Sequence, residues 1–117
     1  MRNLAIALLL SVQGLCAAAE PNELGDVVGL WQFPDRGVWV LVNRDGSAFQ
    51  CRHAPSGTLF TSKGKIVAPH AIEWQDIWGT DQYTLVEGAL TLSGKWGVYS
   101  YRKAKGPMYE GCVAAER

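Results

Sequence analysis

Two histidines, His53 and His70, and the carboxylates Glu73, Asp76 and Asp81 are the residues of this chain whose types could hold a metal or move a proton. The histidines stand seventeen residues apart and the carboxylates follow at irregular intervals. That spacing matches no zinc cage, so no metal ligand and no cofactor is expected. Trp74 and Trp78 lie beside the carboxylates and could raise a carboxyl pKa by desolvating it, a first requirement of an acid–base pair. No partner group accompanies them, and the expectation is a solvated polar face. Ser47, Ser56, Ser62, Ser93 and Ser100 form no Gly-x-Ser-x-Gly elbow and have no histidine placed beside them, which argues against acyl transfer. We expect no catalytic residues and no enzyme.

The aromatic residues point to a different chemistry. Trp39, Trp74, Trp78, Tyr83 and Trp96 could form a stacking platform for a sugar or an apolar molecule, or hot spots on a protein-binding face. A small domain also needs such side chains for its core, since each can bury roughly 150–250 Å². Trp78 lies in Asp76-Ile77-Trp78-Gly79-Thr80-Asp81, where a glycine and aspartates mark a loop tip. Lys63, Lys65, Arg102, Lys103 and Lys105, set against the acidic residues at 73–81, suit docking to a charged protein or glycan. With 11 basic and 11 acidic residues the chain has no net charge, so no nucleic acid is expected as partner.

The elements that must position these residues read as short strands. Residues 72–102 hold three of the five tryptophans and three of the four tyrosines, in runs separated by glycine turns, a β-meander. Ile72 and Trp74 share one face while Glu73 and Gln75 share the other; Tyr83 with Leu85, Leu90 with Leu92, and Tyr99 with Tyr101 repeat that period of two. Upstream, Val38-Trp39-Val40-Leu41-Val42 has no polar alternation and predicts a strand covered on both faces or inside a barrel. Asn43-Arg44-Asp45-Gly46 predicts a tight hairpin, and Ser62-Lys63-Gly64-Lys65 a turn between strands at 58–61 and 66–67. Turn signals recur every eight to ten residues, and no apolar 3.6-residue period supports a helix. The expectation is an all-β, small antiparallel up-and-down barrel of about eight or nine short strands, since closure removes the exposed edges.

Met1-Arg2-Asn3, an apolar run over residues 4–12 and Ala17-Ala18-Ala19 read as a secretory signal. Residues 1–19 are expected to be removed, leaving a single domain over residues 20–117 with a net charge of −1 and a periplasmic or secreted location. The apolar run is too short to span a bilayer. Cys16 is preceded by a bulky leucine, which argues against a lipid anchor there. Cys51 and Cys112 remain, without CxxC spacing, and are expected to pair in an oxidising compartment.

Gly29-Leu30-Trp31, the hairpin-rich middle and the closing Tyr99-Ser100-Tyr101-Arg102 resemble the lipocalin-like, or calycin, barrels. That resemblance implies a Trp31 indole across one barrel end with a basic residue of the last strand, Arg102, packed over it as a structural pair. Full lipocalins end in a helix for which this chain shows no signal. The function expected is non-catalytic binding of a small apolar or glycan ligand, or of an envelope or extracellular protein. The alternative is a secreted inhibitor of a hydrolase, acting through a loop at residues 76–81 or 62–65.

Overall fold

A computed structural model describes residues 25–33, 37–75 and 79–117. Residues 1–24, which include the expected signal and Cys16, residues 34–36, expected to form a turn, and residues 76–78 lie outside the described residues.

Eight strands follow one another in space as they do in sequence: β1 Gly29–Gln32, β2 Val38–Val42, β3 Ser47–His53, β4 Leu59–Val67, β5 Ala71–Trp74, β6 Thr80–Val86, β7 Ala89–Gly94 and β8 Gly97–Lys103. Every neighbouring pair is antiparallel, and β8 returns to pair with β1, so the sheet closes into a barrel. The eight-or-nine-strand expectation resolves to eight because the strands predicted at 58–61 and 66–67 are one, β4.

Ser62-Lys63-Gly64-Lys65 has the composition of a turn but lies within that strand. Gly64 faces Trp74 across the β4–β5 ladder, and a Cβ at Gly64 would come within 2.7 Å of the Trp74 ring and 2.8 Å of the Glu73 carbonyl oxygen. The glycine is there to admit an indole. This removes residues 62–65 as a projecting loop.

Strand alternation divides the apolar residues between two cores. Inside the barrel, Trp31, Val40, Val42, Ala48, Ile66, Ile72, Trp74, Tyr83, Leu90, Leu92 and Tyr101 pack together with Val27. Outside it, Trp39, Phe49 and Cys51 are covered by Met108 and Cys112, with Leu30, Leu41, Leu59 and Val113 at the edges. The unbroken apolar run of β2 is thus covered on both faces, by the lumen on one side and the C-terminal segment on the other.

That segment ends in a helix, α1 Glu110–Glu116, which corrects the expectation of a helix-free tail. Seven residues with no side-chain N-cap are too few to be stable alone. Tertiary contacts hold α1: the Cys51–Cys112 disulfide, spanning 61 residues, and the Tyr109 ring stacked on His53 at 3.9 Å. No helix among the described residues is long and apolar enough to cross a membrane.

Candidate functional site

The two barrel ends differ. At one end, turns at residues 43–46, 68–70 and 87–88 meet the start of β1 and the end of β8. This end is plugged. Trp31 is 1% exposed and donates its indole N–H to the Val27 carbonyl at 2.8 Å. Lys103 Nζ lies 4.7 Å from the Trp31 ring centroid and donates to the Val28 carbonyl at 2.9 Å. A Cβ on Gly29 would meet this movable ammonium, but it is the backbone φ of +140° at Gly29 that calls for glycine two residues before this tryptophan.

The cation over Trp31 is therefore Lys103 and not Arg102. In the β1–β8 register Trp31 faces Lys103 while Gln32 faces Arg102, so the two basic residues project to opposite faces. Arg102 points outward, with its guanidinium 3.4 Å from the Glu87 carbonyl. Lys103→Ala is expected to cost about 1 kcal/mol of stability through the lost ring contact and hydrogen bond. Arg102→Ala is expected to change stability by less than ~0.5 kcal/mol. Chemical denaturation of the two variants side by side checks the assignment.

The opposite end is a mouth. It gathers Phe33, the β3–β4 connection, the end of β5 and the β7–β8 hairpin with Lys95 and Trp96 at its tip. Phe60, Trp96 and Tyr99 are 48%, 49% and 44% exposed here, unusual for rings of this size. Phe33 meets Tyr99 and Tyr101 edge to face, with centroids 6.0 and 5.7 Å apart. Two cations lie over rim rings, Arg52 over Phe60 at 5.9 Å and Lys95 over Trp96 at 5.3 Å.

Polar groups face the lumen beneath this rim. Trp74 donates its indole N–H to Asp81 Oδ2 at 2.9 Å, and Asp81 Oδ1 fills the space that a Cβ on Gly94 would occupy. Burial pushes the Asp81 carboxyl above its ordinary range, with the Trp74 hydrogen bond pulling the other way. Burial, then the charges of Asp81 and Tyr99, hold the Tyr101 hydroxyl above the usual tyrosine range. Ser62 shares the inward face of β4 with Gly64 and Ile66; it is 4% exposed, and its hydroxyl has no hydrogen-bond partner among the described residues.

Of the aromatic residues expected to bind ligand, Trp96 stands at the rim, and Trp74 and Tyr83 are buried in the lumen, both under 10% exposed. Trp39 is elsewhere: it is out of phase with Val40 and Val42, so its indole lies on the outer wall beneath the C-terminal segment. Trp78 lies outside the described residues. Phe33, Phe60, Tyr99 and the inward-facing Ser62 were not singled out for the mouth from sequence. Alternation along a continuous β4 would have put Phe60, Ser62, Gly64 and Ile66 on one face, and the apparent turn at Gly64 concealed it.

A concavity of about 260 Å³ lies on the outer wall among Asn43, Ser47, Phe49, Lys63, Gln75 and Glu116. Its Ser47 hydroxyl donates to Asp45 Oδ1 at 2.6 Å and accepts from Asn43 Nδ2 at 2.9 Å, bonds that lock the β2–β3 hairpin.

The architecture is a small closed, antiparallel up-and-down barrel of calycin-like form, stapled by one disulfide. Compared with protein-family models, with curated proteins and with solved structures, the chain matches none of them at a significant level.

Proposed function

We propose that this protein is a non-catalytic binding domain of lipocalin-like type, acting in the periplasm or outside the cell, that takes a small apolar or glycan ligand at the open barrel mouth. The observation that carries this reading is the asymmetry of the ends. One is sealed by Trp31, Val27 and Lys103, whereas the other exposes Phe60, Trp96 and Tyr99 around inward-facing polar groups. Rings that could have been buried remain exposed at one barrel end, the arrangement expected where apolar ligand surface or the faces of a sugar must stack. The disulfide supports an oxidising compartment.

Native mass spectrometry of the protein gently released from its own host's envelope tests the reading. The expected result is an added mass of a few hundred daltons, lost in the Trp96→Ala, Tyr99→Ala double variant with the thermal midpoint nearly unchanged. A protein-sized addition would replace the small ligand by an envelope partner or, if that partner is a hydrolase, by the inhibitor reading. The latter retains the connection at residues 76–81, part of which lies outside the described residues.

A further inference from the structure

We propose that the mouth selects a small organic cation, a primary ammonium or guanidinium on an apolar body, with the charge against Asp81 and the body against Phe33 and Tyr99. This rests on the mouth being the ligand site and adds the class of ligand.

Three observations converge on it. First, Asp81 is under-used: an ionised carboxylate offers about four acceptor positions, and the Trp74 indole N–H at 2.9 Å is its hydrogen bond among the described residues. The sole ion pair among those residues is Lys65–Glu73 at 3.7 Å, on the outer wall, so no described cation lies within 4 Å of Asp81. Second, aromatic rings stand at the same barrel end and would pack the apolar body of the ligand. Phe33, Tyr99 and Tyr101 form an edge-to-face cluster, and Asp81 Oδ1 stands against Gly94, which pairs with Gly97 two residues before Tyr99 on β8. The cations already at the rim, Arg52 and Lys95, lie over other rings, those of Phe60 and Trp96. Third, the Ser62 hydroxyl is buried, faces the lumen and has no hydrogen-bond partner among the described residues. A buried hydroxyl is costly to leave without a partner, and Ser62 offers a ligand an acceptor on the inward face. A ligand N–H would meet its lone pairs.

The simpler role for Asp81 is to accept the Trp74 indole N–H. Asparagine can accept the same N–H through its amide oxygen, more weakly and without charge, so Asp81→Asn separates the two roles.

The experiment titrates the oxidised full-length protein with benzylamine, a cation at neutral pH, and with benzyl alcohol, its neutral counterpart of the same size. Binding is followed by the NMR shifts of the Trp74 indole N–H and the Tyr101 amide. Benzylamine is expected to bind at least ~10-fold more tightly than the alcohol, the scale of a charge-assisted hydrogen bond. Asp81→Asn is expected to bring the ratio close to one with an unchanged thermal midpoint. Equal binding of both probes at the mouth would overturn the cation while leaving the mouth as a ligand site. Absence of shifts with either probe, where native mass spectrometry still finds a bound small molecule, would likewise overturn it. Should Asp81→Asn fail to fold, the affinity ratio on the unaltered protein decides.

Discussion

Replacing Cys51 and Cys112 together by alanine is expected to lower the midpoint of thermal unfolding by roughly 20 °C. The bond joins residues 61 apart, and closing a loop of that length restricts the unfolded chain by an entropy worth about 4 kcal/mol. That is a large share of the roughly 5–15 kcal/mol typical of a whole domain. The native state should feel the loss unevenly. Cys51 belongs to β3, which is paired on both sides, whereas Cys112 sits in a seven-residue helix that cannot hold its shape alone. The first consequence should be undocking of α1 and exposure of Trp39, Phe49 and Leu41 on the outer wall, before the barrel itself opens. Thermal unfolding by circular dichroism, with and without reductant, measures the midpoint. Binding of an apolar dye below the transition reports the uncovered wall. A midpoint lowered by only a few degrees would mean that the contacts of Met108, Val113 and Tyr109 hold the segment without the bond.

Trp31→Ala is expected to cost about 3–5 kcal/mol and leave the barrel marginal at room temperature. The indole is 1% exposed and plugs the closed end, so truncation opens a cavity that the rigid strands around it cannot collapse to fill. It also removes the donor to the Val27 carbonyl and the ring beneath Lys103. Trp31→Phe restores much of the apolar volume without the N–H and should recover more than half of the loss. Denaturant unfolding of the two variants checks this. Equal losses would assign the stability to the indole hydrogen bond instead of to the filled volume.

Several parts of this molecule are decided locally and can be read directly. Ile72 with Trp74, Tyr83 with Leu85, Leu90 with Leu92, and Tyr99 with Tyr101 alternate with polar neighbours, and in the structure each pair lies on the inward face. The β2–β3 turn is equally local, since Asp45 and Asn43 bond the Ser47 side chain within a few residues. The pairing of Cys51 with Cys112 followed from there being two cysteines after the expected signal and no redox spacing.

The sequence by itself therefore determined the all-β character, the period-two faces of the meander and the disulfide. The first two depend on alternation and turn chemistry within a short window, the third on the count of cysteines in the chain. The tertiary structure decided what depends on register and on distant neighbours. Gly64 has the composition of a turn residue and is a strand residue because Trp74 packs on it. Lys103, and not Arg102, covers Trp31 because a one-residue difference in β1–β8 register exchanges inside for outside. Trp39 is buried on the outer wall because a helix seventy residues downstream is held against it. Whether an aromatic residue fills the lumen, supports the wall or stands at the mouth is set by which strand faces it across the closed sheet, and no short window of sequence contains that neighbour.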